Sequence, residues 1–438
     1  MKKVNIAKGE ELSASQMLSN RTDSDFDEVD RAVKEIIEDV RKRGDEAVYY
    51  YMHKFGGPTK EQMGPLRVSD EEIQAAYDSC EPEVISAFEK AAENIRSFHR
   101  HQLTSTWSYT EGNDIMLGQL IRPIKNVGVY IPGGTAAYPS SVFMNVIPAK
   151  IAGCPRIVMM TPAGKDGKIS KYILAAARIA GASEIYKAGG AQGIAALAYG
   201  TESVKKVNKI TGPGSAYVAR SKKYVFGAVD IDMIAGPSEI TIVADKTANP
   251  SYLAADMLSQ AEHDVMASAV LITDDQEIAD RTEAEVRKQL QILDRKEIAE
   301  KSVENNAAIF VTEDLDSAFI IANDIAPEHL ELEIEDPEKY LDKVEYCGAV
   351  LLGSYSPEPL GDYIAGPNHT LPTSGTAKFA SPLGVYDFLT RSSIIKYSRE
   401  DLETVKDDIV VMSDKEGLTA HGNAIKIRFG ELEGYEAE

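Results

Sequence analysis

Cysteine is scarce in this chain, with three residues in 438, at positions 80, 154 and 347. They are odd in number and far apart, and no CxxC pair occurs, so neither a disulfide scaffold nor a cysteine-type zinc site is expected. A reducing, cytoplasmic setting fits this usage. Long apolar runs are missing as well. No hydrophobic stretch of signal-peptide type follows Met1-Lys2-Lys3, and none reaches the length of a membrane span. Positive charge is in deficit: 47 Lys and Arg against 69 Asp and Glu give a formal charge of −22. So acidic a surface repels nucleic acid and anionic membranes, and neither is expected as a partner. Histidine is rare, at seven residues, and the chain contains neither an HExxH motif nor a GxGxxG fingerprint. Internal repeats and low-complexity segments are also absent.

What is present is the composition of an ordinary globular protein, 43% hydrophobic and 26% charged, at a length that exceeds one core. Residues 1–25 are polar and read as an arm outside the core. From Phe26 onward Val29, Val33, Ile36, Ile37 and Val40 recur at helical spacing, and two more helices are expected over 69–79 and 82–102. Near Arg122 the pattern changes. Strands are expected at 127–131, 156–160, 184–188 and 209–210, separated by helices at 141–151, 170–180 and from 194. The alternation resumes with a helix at 250–262, strands at 269–273, 308–311 and 349–352, and helices at 275–292 and 314–324. Such order implies α/β layers with parallel sheets. A short strand at 393–397, a helix at 399–413 and an acidic, disordered tail from Gly430 close the chain.

The rarity of histidine makes each setting informative. His53, His99 and His101 lie in charged helical sequence and read as surface residues. His263 ends Leu258-Ser259-Gln260-Ala261-Glu262-His263, in a helix that Asn249 can cap and Pro250 can start. Gln260 and His263 are three apart and share a helical face. An imidazole and an amide oxygen are acceptable zinc ligands, although a histidine answering the helix dipole is an equally open reading. Glu328-His329 follows Ala326-Pro327 and is expected at a loop or helix start. A carboxylate beside an imidazole offers two bases of different strength, unless the pair is merely solvated. Asp362 follows a strand and a proline-rich turn, which would place it as a metal ligand at the C-terminal end of the sheet. His369 reads as structural, and Glu416 and His421 stand five apart near the end. Three glycine-rich turns follow expected strands: after Tyr130, at Gly189-Gly190-Ala191-Gln192-Gly193, and at Gly212-Pro213-Gly214-Ser215. Each can open a helix whose free N–H groups favour an anion, but plain turn glycines explain them equally well.

Taken together and in order, these segments resemble the histidinol dehydrogenase family. The resemblance runs from 29–55, which includes Arg43-Gly44-Asp45-Glu46-Ala47-Val48, through Gly128-Val129-Tyr130-Ile131-Pro132-Gly133-Gly134, 188–196, 232–239, 259–263, 327–330 and Gly361-Asp362-Tyr363. It continues through Asn368-His369-Thr370-Leu371-Pro372-Thr373 to 416–421, nearly the whole chain. It implies an α/β fold of two Rossmann-like parallel-sheet domains with a helical N-terminal arm and a small swapped C-terminal segment. Residues 26–129 plus 239–380 would form the discontinuous zinc and catalytic domain, 130–238 an inserted NAD-binding domain, and 381–438 the dimerisation segment. The family resemblance assigns zinc to Gln260, His263, Asp362 and His421, the last supplied across a homodimer. It makes Glu328 and His329 the proton-handling pair. Substrate contacts fall on Ser238, Gln260, His263, His329, Asp362, Glu416 and His421, and NAD contacts on Tyr130, Gln192 and Ser215. Ser215 departs from the family's usual Gly-Pro-Gly-Asn and shortens the polar reach toward the cofactor. The implied activity is oxidation of L-histidinol to L-histidine through histidinal with two NAD, the last step of histidine biosynthesis. A paralogous zinc- and NAD-dependent dehydrogenase of another small polar alcohol, such as a sulfonated diol, would use the same ligands. A non-catalytic nucleotide- or metal-binding protein on this fold is the reading from a different class, against which the retention of Glu328 and His329 counts.

Overall fold

A computed structural model describes the chain except residues 19–25, 113, 134–136, 433 and 435–438. The end of the expected arm, Gly134 of the first glycine-rich turn and much of the acidic tail therefore lie outside the described residues. The chain forms two compact units: residues 1–103 with 124–388, and residues 104–123 with 389–438. No helix among the described residues is long and apolar enough to cross a membrane.

The larger unit is α/β and holds two parallel sheets. The first has five strands, in the order Glu184–Lys187, Arg156–Thr161, Asn126–Tyr130, Lys209–Thr211, Asp230–Ile231. From Asn126–Tyr130 the chain adds two strands on one side, then crosses to the other. That reversal opens a crevice beyond the C-terminal ends of Asn126–Tyr130 and Lys209–Thr211. The second sheet has six strands, in the order Lys2–Asn5, Ala308–Val311, Ser268–Thr273, Glu239–Ala244, His329–Glu333, Ala349–Leu352. Its inner strands are buried on both faces, as parallel sheets covered by helices require.

Two expectations about the N-terminal part need correction. Residues 1–25 are not simply an arm outside the core. Lys2–Asn5 pairs in parallel with Ala308–Val311 as the edge of the six-stranded sheet, and Ala14 of the helix Glu11–Gln16 is buried. Short, charged edge strands carry little hydrophobic signal, because their outer side faces water. The helices after residue 26 do not cover the six-stranded sheet either. Val33, Ile36, Ile37 and Val40 of Asp27–Arg43 join one core with Tyr130, Ile194, Leu197 and Val218, which belong to the five-stranded layer. His99, expected at the surface, is fully buried; its Nδ1–H donates to the Ile95 carbonyl at 2.8 Å and its Nε2 faces the Asn368 amide.

The smaller unit is a three-stranded antiparallel sheet, ordered Leu389–Lys396, Ile115–Pro123, Trp107–Glu111, with the helices Arg399–Lys415 and Thr419–Lys426. The expected C-terminal segment thus starts later than residue 381 and recruits residues 104–123. Leu383, Val385 and Phe388 remain buried in the larger unit.

The turn after Lys209–Thr211 is fixed by charge and by shape. Gly212 has φ +114°, and a Cβ there would meet the Tyr130 carbonyl oxygen at 2.0 Å. Its N–H donates to Asp232 Oδ2 at 2.7 Å, and its carbonyl accepts from Lys222 Nζ at 3.0 Å. Lys222 and Asp232 form an ion pair that is almost wholly buried. Removing one partner strands the other charge in a low-dielectric interior, which typically costs about 3–5 kcal/mol. Lys222→Met should therefore lower unfolding free energy by about that amount, as read by denaturant titration. A loss no larger than that of an exposed surface substitution would reject the pair as a structural anchor.

Candidate active site

The helix Pro250–Ala261 begins as the sequence suggests, with the Asn249 side chain accepting from the Ser251 N–H at 3.0 Å and Pro250 in the first turn. Gln260 lies in its last turn and is buried, and its Oε1 has no hydrogen-bond partner. The His263 N–H donates to the Gln260 carbonyl at 3.2 Å, so the turn carries on to an exposed His263. Two candidate ligands thus leave a helix C-terminus, where the dipole favours a cation.

Glu328 lies in the loop expected from Pro327, but His329 opens a strand. Ala326 takes a left-handed conformation (φ +48°) that ends the helix Leu315–Ile325, and Pro327 leads directly into the strand His329–Glu333. In this His-Leu-Glu-Leu-Glu strand every residue is buried. Alternation sends Leu330 and Leu332 into one apolar core and His329, Glu331 and Glu333 to the opposite face.

Parallel pairing with Glu239–Ala244 sets the site. Glu328 Oε2 accepts the Glu239 N–H at 2.8 Å, and His329 Nδ1 lies 3.2 Å from the Glu239 carbonyl. A carbonyl can only accept, so Nδ1 carries the proton and Nε2 keeps its lone pair. That Nε2 faces Asp362 Oδ1 at 3.9 Å. Asp362 belongs to the short helix Glu358–Tyr363. His329, Glu239 and Ser238 all sit at the N-terminal ends of their strands. The cluster therefore occupies the N-terminal edge of the six-stranded sheet, not the C-terminal edge expected for Asp362.

Burial governs the acid–base properties. It holds the His329 imidazole down at about 4, with His369 and His263 adding repulsion, so the ring is neutral near pH 7. It pushes Glu328 well above the usual carboxylate range, helped by the charges of Glu239, Asp362 and Glu358 and opposed by the Glu239 N–H. Asp362 is raised to about 6 and Glu358 to about 8, in each case by burial first. The charges that raise Glu328 are those of Glu239, Asp362 and Glu358, and Asp362 raises Glu358, so a cation would find the surroundings favourable.

His263, Glu358 and Asp362 bring candidate ligand atoms within 4.8 Å of one another. Glu358 escaped the sequence reading, although Glu358 and Asp362 are four apart directly after Pro357, a spacing that aligns them on one helical turn. His369 is held on both sides of its ring: its Nδ1–H donates to the Asp362 carbonyl at 3.1 Å, and its Nε2 faces Ser141 Oγ at 3.4 Å. Glu416 and His421 belong to the smaller unit, where both are exposed. Within the larger unit the structure brings together Gln260, His263, Glu328, His329 and Asp362, with Ser238 on the same sheet edge.

Tyr130, Gln192 and Ser215 lie toward the C-terminal edge of the five-stranded sheet: Tyr130 ends the strand Asn126–Tyr130, and Gln192 and Ser215 follow Glu184–Lys187 and Lys209–Thr211. The Tyr130 hydroxyl accepts the Gly190 N–H at 3.0 Å. Gln192 is buried in the first turn of Gly190–Tyr199, its Nε2 on the Met52 sulfur and its Oε1 without a partner. Ser215 is exposed at the start of Ala216–Val225, and its side chain makes no capping bond. The helix Pro139–Ala152, which follows Asn126–Tyr130, reaches across to the other site: Asn145 Nδ2 donates to Thr370 Oγ1 at 3.3 Å, and the Met144 carbonyl accepts from Asn368 Nδ2 at 2.6 Å.

Comparison with known proteins agrees with this architecture. The family profile described as histidinol dehydrogenase matches residues 19–429. A histidinol dehydrogenase of Listeria monocytogenes serotype 4b is 55% identical over 404 residues, covering 92% of this chain and 94% of that protein. One from Bacillus cereus is 54% identical over 422 residues, covering 96% and 97%. The crystal structure of histidinol dehydrogenase from Elizabethkingia anophelis superposes with a TM-score of 0.91 at 37% identity, covering 99% of this chain and 98% of that one. With the match extending over almost all of the fold and of both candidate sites, the chain belongs to the histidinol dehydrogenase family.

Proposed function

We propose that this protein oxidises L-histidinol to L-histidine through histidinal, using zinc and two molecules of NAD, and so completes histidine biosynthesis. The observation that carries the reading is the His329 ring. Its Nδ1 is tied to the Glu239 carbonyl and its unprotonated Nε2 faces Asp362, beside the helix end that presents Gln260 and His263. The orphaned Gln260 Oε1 fits a metal: a buried amide oxygen without a donor is costly unless something positive meets it. Gln260, His263, Asp362 and His421 of the partner subunit would hold the zinc, which when bound orients the substrate's imidazole and amine. The orphaned Gln192 Oε1 and the exposed Ser215 hydroxyl, with Tyr130, suit NAD, which when bound is the hydride acceptor.

The chain's own residues handle the protons. His329 Nε2 takes the proton of the alcohol as hydride leaves the same carbon, giving the aldehyde. Glu328, held on the Glu239 N–H, removes a proton from the water that adds to the aldehyde carbon, while His329 returns its proton to the aldehyde oxygen, giving the hydrate. His329 then accepts the hydroxyl proton of the hydrate as the second hydride leaves, giving the carboxylate. Ser238, Glu416 and His421 complete the substrate contacts. Glu416 and His421, exposed on the smaller unit, are supplied across a homodimer. Large apolar side chains exposed on that unit, among them Trp107, Ile395, Val411 and Met412, support burial against a second copy. The three cysteines take no part, in keeping with the absence of disulfides among the described residues and with a cytoplasmic setting.

Incubation with histidinol and NAD should yield two NADH per alcohol consumed, and a chelator should stop the reaction. Turnover of a sulfonated diol in place of histidinol would overturn the substrate assignment. His263→Ala should abolish zinc content and turnover together, and a variant that keeps both removes this ligand from the set. Glu328→Gln should slow histidinal oxidation much more than histidinol oxidation. Because both bases act deprotonated, and burial raises Glu328 while lowering His329, falling pH should suppress histidinal oxidation before histidinol oxidation. Equal losses in the two half-reactions would reject the division of labour.

A further inference from the structure

We propose that Met52 is a positioning residue of the NAD site, holding Gln192 so that its amide oxygen is presented to a hydrogen-bond donor of the cofactor; the inference rests on the cofactor reading above. Met52 lies in the helix Asp45–Lys54, far in sequence from the strands of the five-stranded sheet, yet it is buried in the same core as Tyr130, Ala188 and Ala191. Its sulfur meets two donors at once, the Gly189 N–H at 3.2 Å and Gln192 Nε2 at 3.4 Å. A thioether has no proton to give, so the nitrogen end of the amide is the one that can face it. The contact therefore decides which end of the Gln192 amide points away, as the Glu239 carbonyl decides the His329 tautomer.

What points away is Oε1, buried and without a hydrogen-bond partner. An orphaned acceptor of this kind is costly unless a ligand supplies the missing donor. Glycine leaves room beside it: Gly190 has φ +61°, and a Cβ there would stand 3.0 Å from Oε1. Two N–H groups of this turn are already engaged within the protein, that of Gly189 on Met52 and that of Gly190 on the Tyr130 hydroxyl. What the turn adds for the cofactor is an acceptor, which suits a hydroxyl or an amine of the dinucleotide.

The backbone behind the sulfur is fixed as well. The Met52 carbonyl accepts the Gly57 N–H at 3.0 Å, and a Cβ at Gly57 would meet that carbonyl oxygen at 2.7 Å. The N-terminal helices thus complete the cofactor edge of the five-stranded layer besides covering it.

The test measures steady-state turnover of the full-length protein with histidinol and NAD, each varied in turn. Met52→Leu keeps the bulk and removes the acceptor. It should raise KM for NAD about tenfold, near the upper end of what one net hydrogen bond contributes, with kcat, KM for histidinol and zinc content nearly unchanged. An unchanged KM for NAD overturns the proposal. So does an equal rise in KM for both substrates, which would mark Met52 as a core residue of general effect. Because Met52 acts through Gln192, Met52→Leu should add nothing in a Gln192→Ala background, and effects that multiply overturn the proposal. Met52→Gln returns an acceptor oxygen at similar reach and should restore most of the affinity for NAD. Should Met52→Leu fail to fold, Met52→Gln decides alone: a KM for NAD as high as that of Gln192→Ala overturns the proposal. If Gln192→Ala itself leaves KM for NAD unchanged, the cofactor reading of Gln192 fails and the proposal falls with it. A loss in Gln192→Ala without one in Met52→Leu rejects the proposal alone.

Discussion

The candidate active site depends on one strand pairing. His329–Glu333 runs parallel to Glu239–Ala244, with His329 opposite Ile240. That register puts the Glu239 N–H on the Glu328 carboxylate and the Glu239 carbonyl on the His329 ring. The backbone of this one residue thereby holds both proposed bases and fixes the tautomer of one of them. A slip by a single residue would turn His329 toward the apolar core of Leu330 and Leu332, because side chains alternate between faces. The register is secured by that core: Leu330, Leu332 and Val243 pack with Phe310, Phe319 and Ile321. The geometry of the bases is therefore underwritten by burial on the opposite side of the same strand.

The two candidate sites use opposite edges of their sheets. The proposed cofactor residues lie at the C-terminal edge of the five-stranded sheet, beside its point of reversal, as open α/β sheets commonly arrange. The acid-rich cluster lies at the N-terminal ends of the other sheet, where a helix finishes and its carbonyls face outward. Each edge carries the polarity its proposed ligand would demand: helix starts for a phosphate-bearing molecule, a helix finish and carboxylates for a cation. The loop of Asn368, His369 and Thr370 fastens the two together, since it binds the helix Pro139–Ala152 on one side and Asp362 on the other.

The α/β alternation was legible because most strands are continuous apolar runs between helices of regular period. Ser268–Thr273 and Arg156–Thr161 fall within a residue of where their hydrophobicity places them. His329–Glu333 was not legible as a strand, because three of its five residues are ionisable and only the fold makes their burial tolerable. Lys2–Asn5 and Trp107–Glu111 were hidden for the opposite reason: exposed strands need no apolar pattern. Within the candidate site, Gln260 and His263 were readable from helical spacing, and Asp362 as a ligand candidate after a strand and a turn, though at the wrong edge of its sheet. Glu358 was missed because neither its spacing to Asp362 nor its proline neighbour signals a place beside the site until the His263 helix is brought alongside. His99 was misjudged because charged neighbours on Pro82–Arg100 disguised a buried stripe of Ala91, Ala92 and Ile95.

The edge strand Lys2–Asn5 has a bearing on how the chain is handled. It occupies the outward row of backbone donors and acceptors on Ala308–Val311, three of whose four residues are buried. Trimming those few residues, or crowding them with a bulky fusion partner, would uncover an apolar ribbon open to pairing with any extended peptide. Four weakly hydrophobic residues thus serve as a cover against self-association, and the length of the N-terminus becomes a determinant of colloidal behaviour.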